Sequence, residues 1–364
     1  MPDKTNELVM KIEAGARLSV EELAALYRCP VPQLAALATH RRERLNGKKV
    51  FYNRNFHLEP TNICVHNCVF CAYRRDEGAA GSWDYSIDEL LAQCRRHAAP
   101  GVTEVHIVGG VHPRRDVHDY AALLRAVKQT LPQVHIKAFT AIEIDYMIKK
   151  AGMTLEAGLA LLKENGLDAI PGGGAEIFDA AVRRRLCPKK GTAGVWLGVH
   201  EAAHRLGIRT NATMLFGHVE NLEHRLHHLL TLRELQDRTG GFDAFIPLKY
   251  KSEHNALGRI GEVSVIETLR MVAISRLALD NIPHIKAYWP MLGKDVMQMA
   301  LLFGADDIDG TINDTTKIYS MAGAGEQHPS MSVDELRRLV HDAGFEPVER
   351  DTFYNIINFS IHNS

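Results

Sequence analysis

Three cysteines fall close together in the segment Asn62-Ile63-Cys64-Val65-His66-Asn67-Cys68-Val69-Phe70-Cys71. The spacing is C-x3-C-x2-C. Thiolates are soft ligands that suit iron–sulfur clusters and zinc. Closed ferredoxin-like and structural zinc sites take four protein ligands, and no fourth cysteine lies nearby. A [4Fe-4S] cluster held by Cys64, Cys68 and Cys71 therefore keeps one iron open to a substrate. The amino and carboxylate groups of S-adenosylmethionine (SAM) fit that opening. An electron from the cluster then cleaves the sulfonium into methionine and a 5′-deoxyadenosyl radical. Phe70, with Tyr73 just beyond the loop, supplies aromatic surface that can pack an adenine and exclude water. The rival reading is a zinc site with His66 as the fourth ligand.

Other residues carry weaker signals. His200-Glu201-Ala202-Ala203-His204 matches H-E-x-x-H, which on a helix can hold zinc with Glu201 as base. No third ligand accompanies it, and the expectation is a solvated helix face. His224, His227 and His228 read as a second exposed face. Gly109-Gly110 can let backbone approach the methionine end of SAM. Glu143 can bind a ribose hydroxyl or the SAM ammonium, with a surface carboxylate as the plain alternative, and Glu176 has the same standing. Arg74 follows the cysteine loop and suits a carboxylate substrate. Asp306-Asp307-Ile308-Asp309-Gly310 lacks the spacing of a calcium loop and reads as a strand with polar residues at a barrel mouth. Cys29, Cys94 and Cys187 carry no assigned role.

These residues need elements to position them. Short apolar runs at 56–58, 104–108, 135–140, 169–171, 209–214, 244–248, 284–288 and 306–309 have strand length. Helical patterns at 120–131, 155–164, 222–235 and 265–279 lie between them. S-x-x-E capping signals stand at Ser19/Glu22, Ser86/Glu89, Ser264/Glu267 and Ser332/Glu335. Alternating strands and helices imply βαβ units and a parallel sheet. Eight strands predict an α/β fold, a (β/α) TIM-type barrel whose site lies at the C-terminal strand ends. The cysteine loop, Gly109-Gly110, Glu143 and Gly172-Gly173-Gly174 all follow such ends. The expected organisation is a helical extension over 1–50, the barrel over 51–344 and a tail over 345–364.

Composition narrows the class. The 364 residues carry 43 Lys plus Arg against 44 Asp plus Glu, a net charge of −1, which gives no basic excess for nucleic acid. A hydrophobic fraction of 46% excludes a disordered chain. No run of about 18 apolar residues predicts a membrane span. Residues 1–14 have no apolar core of signal-peptide length, so a cytoplasmic protein is expected.

The cysteine loop, with an aromatic before its third cysteine, resembles that of the radical SAM superfamily. His57-Leu58-Glu59-Pro60-Thr61-Asn62-Ile63-Cys64 and His106-Ile107-Val108-Gly109-Gly110-Val111-His112-Pro113 resemble the menaquinone enzymes of the futalosine route. Phe139-Thr140-Ala141-Ile142-Glu143-Ile144, residues 304–311 and residues 349–354 point within that route to the aminofutalosine synthases. The cyclic dehypoxanthinyl futalosine synthases and the deazaflavin-cofactor radical enzymes are the nearest alternatives, and a zinc hydrolase built on His200, Glu201 and His204 is the alternative of another class. The resemblance implies addition of the 5′-deoxyadenosyl radical to the vinyl carbon of 3-[(1-carboxyvinyl)oxy]benzoate. Rearrangement and decarboxylation then give 6-amino-6-deoxyfutalosine and methionine. It also implies an external electron donor of flavodoxin or ferredoxin type. Arg74, Lys137, Arg209 and Lys286 are the expected grips for the substrate's two carboxylates.

Overall fold

The computed structural model describes residues 2–357; the last seven residues of the expected tail lie outside the described residues. Ten strands follow in chain order: β1 Lys49–Asn53, β2 Asn55–Leu58, β3 Glu104–Ile107, β4 His135–Ala138, β5 Ala169–Ile170, β6 Arg209–Phe216, β7 Phe242–Lys249, β8 His284–Ile285, β9 Asp307–Gly310 and β10 Glu346–Glu349. Strands β2 to β8 form one seven-stranded sheet in consecutive order, parallel throughout. Helices between them cover its outer face, so the strands are buried almost from end to end.

The eighth expected strand, β9, exists but belongs to a second parallel sheet ordered β10-β1-β9. It still spans the gap in the curl. Ala287 N donates to Asp307 O at 2.7 Å on the β8 side. On the other side Thr311 Oγ1 donates to Asn55 O at 2.9 Å, where β2 begins. Strand β10 was not expected; it opens the segment read as a tail, and it pairs with β1.

The helices follow their signals. Residues 155–164 form the helix Leu155–Glu164, and the other three patterns become Val117–Thr130, Leu222–Thr239 and Val265–Ala278. All four predicted serines cap a helix. Ser19 and Ser86 complete the reciprocal box. At the other two the glutamate is drawn away, Glu267 to Arg225 at 2.6 Å and Glu335 to Lys294 at 2.9 Å.

The barrel interior holds charge where apolar packing is usual. Lys137 bonds Glu104 at 2.7 Å, Lys286 bonds Asp309 at 2.5 Å, and Arg350 bonds Asp307 at 2.6 Å. Thr352 Oγ1 adds a bond to Glu104 at 2.8 Å. Three bases balance three acids, so the network closes on itself. Arg350 and Thr352 come from the chain just past β10, which thereby bonds to Asp307 and Glu104 at the starts of β9 and β3.

Candidate active site

The cysteine loop leaves the C-terminal end of β2 and is clamped by backbone bonds from three directions. Gly110 N donates to Thr61 O at 2.7 Å and Val65 N to Val111 O at 3.0 Å, both joining it to the loop after β3. Val69 N donates to Leu186 O and Ala256 N to Val69 O, each at 2.8 Å. Gly109 and Gly110 matter because of this closeness. A Cβ on Gly110 would sit 2.3 Å from Ile63 O, and one on Gly109 would sit 2.7 Å from Thr61 O. The obstacle is backbone, which cannot swing aside. Gly110→Ala is therefore expected to displace the cysteine loop while the barrel still folds. Iron content after anaerobic reconstitution should fall, and turnover should drop about 100-fold. Normal iron and normal turnover would show that the loop tolerates the shift.

Cys64, Cys68 and Cys71 border one cavity together with His66, Phe70, Tyr73, Arg74, Gly109, Gly110, Glu143 and Lys190. The structure thus gathers the expected cofactor residues around the three thiols. Burial pushes the Cys71 thiol up to about 11 and raises Cys64 as well. Cys68 is held down to about 7 by a bond from the Cys187 thiol. Among the described residues no three His, Cys, Asp or Glu side chains converge to hold a single metal ion. A zinc ion needs ligands at about 2.0–2.3 Å on every side, so the thiols with His66 do not make a mononuclear site. Three soft thiols around a shared cavity fit a larger soft-metal group such as a cluster.

Glu143 caps the helix Ala141–Lys150 and does more than cap. Its two oxygens accept from Thr140 N at 2.7 Å and Gly109 N at 3.1 Å, tying the end of β4 to that of β3. Burial pushes its carboxyl up to about 7. Glu176, with a left-handed φ of 50°, pairs with Lys190 at 2.5 Å. Lys190 also lies 5.7 Å from the centre of the Phe70 ring.

The cysteine cavity opens into a chamber inside the barrel. Phe70, Cys71, Tyr73, Gly109, Thr140 and Gly174 border both. The chamber is lined further by Leu215, Ile246 and Leu248, by Tyr288 and Tyr319, and by Lys249 and Lys251. The two lysines share Glu262, at 2.9 Å and 3.1 Å. Sequence reasoning missed both, although they stand at the C-terminal end of β7, where barrel sites lie.

The four expected carboxylate grips do not line this chamber. Arg209 is the first residue of β6, at the opposite end of the barrel, and bonds Asp243 at 2.8 Å. Lys137 and Lys286 turn into the buried charge network, because its acids offer the desolvated ammonium groups their partners. Arg74 borders the cysteine cavity, where Nε donates to Cys64 O at 3.2 Å. Asp307 and Asp309 likewise belong to the interior network and not to the mouth.

The first histidine face expected to be solvated is packed inward, and the second is packed inward only at His228. His200 is fully buried with its ring 3.8 Å from Trp196. His204 places Nδ1 and Nε2 each 2.7 Å from a hydroxyl, on Thr239 and Thr210. Glu201 points away toward Arg205 at 3.6 Å. No H-E-x-x-H zinc site forms. His228 is buried against Phe178, ring centres 3.7 Å apart, with Nε2 bonding Thr213 O at 2.9 Å; only His227 is exposed, and His224 is half-buried.

Burial depresses six of these rings. His57, His66 and His204 fall to about 4, His106 and His228 to about 3, and His200 lies well below its usual value. Glu59 and Glu143, raised to about 7, oppose them. Between about pH 4 and 6.5 the unfolded chain binds more protons at the histidines, so their stabilisation is lost as pH falls. Six groups outweigh two, and Tm is expected to rise from pH 4.5 to 6.5. His228→Gln should flatten that slope. A Tm that falls across this interval would contradict the buried neutral rings.

Comparison with known proteins agrees with the geometry. Residues 58–232 match the radical SAM superfamily, and residues 239–362 match the CofH/MqnC C-terminal region. The chain is 44% identical to aminodeoxyfutalosine synthase of Thermus thermophilus, over 94% of this chain and 93% of that one. It is 39% identical to the 5-amino-6-(D-ribitylamino)uracil–L-tyrosine 4-hydroxyphenyl transferase of Methanocaldococcus jannaschii, over 87% of this chain and 90% of that one. The solved structure of methylornithine synthase superposes with a TM-score of 0.75 at 18% identity, covering 93% of this chain and 97% of that one. That likeness concerns the fold. No helix among the described residues is long and apolar enough to cross a membrane.

Proposed function

The chain belongs to the radical SAM superfamily, in the branch with the CofH/MqnC C-terminal region, and from that footing we propose that it is an aminofutalosine-forming enzyme of menaquinone biosynthesis. The substrates of this reading are SAM and 3-[(1-carboxyvinyl)oxy]benzoate; the products are 6-amino-6-deoxyfutalosine, methionine and the lost carboxylate as bicarbonate or carbon dioxide. One observation carries it. The cysteine cavity and the barrel chamber share a rim at Phe70, Cys71, Tyr73 and Gly109, so a nucleoside held in the first faces an alkene held in the second.

Cys64, Cys68 and Cys71 would hold a four-iron cluster, which would supply the electron for reductive cleavage of SAM to methionine and a 5′-deoxyadenosyl radical. The chain's own residues do the rest by position and charge. Phe70 and Tyr73 wall the adenine side, and the Gly109-Gly110 backbone lets the nucleotide-facing loops close together. Glu143 lies within reach of an ammonium group in the same cavity. Its burial disfavours the bare carboxylate, and an arriving cation reverses that. Lys249 and Lys251 stand over the chamber with one shared acid between them, which leaves one positive charge for a substrate carboxylate. The apolar and aromatic chamber walls exclude water from a radical. An external flavodoxin or ferredoxin supplies electrons in this reading.

The test is anaerobic incubation with SAM, a reductant and one of two substrate sets. With the enolpyruvyl benzoate, an adenine-containing product heavier than 5′-deoxyadenosine is expected. With tyrosine and 5-amino-6-(D-ribitylamino)uracil, no hydroxyphenyl transfer is expected. The reverse pattern would overturn the proposal in favour of the transferase relatives.

A further inference from the structure

Beneath the shared rim, at the floor of the chamber, two histidines stand side by side with nothing to bond. His57 on β2 is directly opposite His106 on β3 in the parallel register, and their ring centres are 4.6 Å apart. Both line the chamber. His57 is 2% exposed, yet neither of its ring nitrogens has a hydrogen-bond partner, and His106 Nε2 has none either. Buried polar atoms without partners are costly, about 1–3 kcal/mol each, and they are kept where a ligand completes them.

The groups below explain why these rings are left over. Glu104, Lys137 and Asp309 face the pair from β3, β4 and β9, and Lys286 from just past β8, but each is satisfied within the charge-balanced network. The network takes no bond from either imidazole. Burial, with the opposed ring adding to it at His106, keeps both rings neutral near pH 7. Each neutral imidazole has one N–H to donate. Two donors on rings 4.6 Å apart and tilted by 49° can converge on the two oxygens of one carboxylate.

Depth decides which carboxylate. Val108 and Gly109 belong to the upper chamber, and Gly109 to the rim shared with the cysteine cavity. His106 is two residues earlier on the same strand, so it lies roughly 6–7 Å deeper along the same inward face. The reacting alkene must sit at the rim, close to the nucleoside. The end of the substrate that reaches the floor is the one that does not react.

We propose that His57 and His106 are the specificity-determining pair that receives the ring carboxylate of the aromatic substrate through two imidazole N–H donors. The inference rests on the reaction proposed above and adds the residues that orient its substrate. It makes them positioning residues, since the ring carboxylate keeps its bonds throughout.

The experiment compares two substrates, 3-[(1-carboxyvinyl)oxy]benzoate and the analogue with no ring carboxylate, (1-carboxyvinyl)oxybenzene. The ratio of their kcat/KM values is measured in the parent enzyme, in the double variant His57→Phe with His106→Phe, and in the double variant His57→Gln with His106→Gln. Phenylalanine keeps the ring volume without a donor, and glutamine keeps a donor. Iron content and Tm of each variant are measured alongside. The parent enzyme is expected to prefer the benzoate about 10- to 100-fold. The Phe pair should lose that preference through a raised KM, with cluster content unchanged, and the Gln pair should recover part of it. A preference retained in full by the Phe pair would overturn the inference. If the parent enzyme is active but shows no preference, the inference also fails while the reaction stands. If the parent enzyme makes no adduct from either compound, the reaction itself is wrong and the inference falls with it.

Discussion

Cys71→Ala is expected to abolish turnover and remove the iron–sulfur absorption of the protein. Cys71 is the cysteine that borders both the cysteine cavity and the barrel chamber. Its backbone N–H closes the loop on Cys68 O at 3.1 Å, so the side chain alone changes. Three protein ligands are already the minimum for an open cluster. Removing one leaves two irons without protein ligands and opens the site to water. Iron should fall from about four per chain to background, and SAM cleavage under dithionite should fall by at least about 1000-fold. Cys187→Ala is the informative companion. Cys187 touches Cys68 but lies outside the loop, and its loss should leave most of the iron in place. Full iron and full SAM cleavage in Cys71→Ala would contradict the assignment of the loop.

Arg350→Ala is expected to give the largest loss of stability of any substitution far from the cysteines. Arg350 is fully buried; its Nε donates to Asp307 at 2.8 Å, and a terminal nitrogen lies in ion-pair contact with the same carboxylate at 2.6 Å. Asp307 is held well below the usual carboxylate range, with Arg350 the largest of the favourable charges. Removing the base leaves that acid charged, buried and short of a partner. Breaking such a pair costs about 3–5 kcal/mol. The network also loses its balance of three acids and three bases, so Glu104 and Asp309 share the penalty. Urea unfolding should show a midpoint well below that of the parent protein. Adding Asp307→Asn to Arg350→Ala should restore part of it, because the stranded charge is gone. A midpoint unchanged in Arg350→Ala would show that the network does not hold the barrel closed.

All eight expected strands exist, most of them carried by short runs buried on both faces; β9 is the exception in composition, with Asp307 and Asp309 paired inside the charge network. Strand β1 has no expectation behind it: Val50, Phe51 and Tyr52 are a run of only three apolar residues, and one residue, Arg54, separates it from β2, too short a link to signal a second strand. Strand β10, Glu346–Glu349, is half charged and contains Pro347, so it carries no strand pattern; its place comes from pairing with β1. The cysteine loop was legible because ligand chemistry fixes both residue type and spacing. The substrate-side residues were not. Lys137 and Lys286 have the right type and the right strands, yet a buried lysine goes to the nearest buried acid, and sequence spacing does not show where that acid is. His57 and His106 lie in quoted motifs, but that they face each other depends on the β2–β3 register. The H-E-x-x-H helix did hold a clue. Trp196, His200 and His204 recur every four residues, and a tryptophan on that stripe marks the face that packs against the sheet.

The most direct test of the whole account follows the 5′ carbon of SAM. The protein is incubated anaerobically with reductant, 3-[(1-carboxyvinyl)oxy]benzoate and SAM labelled with deuterium at that carbon, and the products are weighed by mass spectrometry. The account predicts that both deuterium atoms appear in one product containing adenine and the aromatic ring, with one methionine released for each. Label found only in 5′-deoxyadenosine, with the benzoate unconsumed, would contradict it.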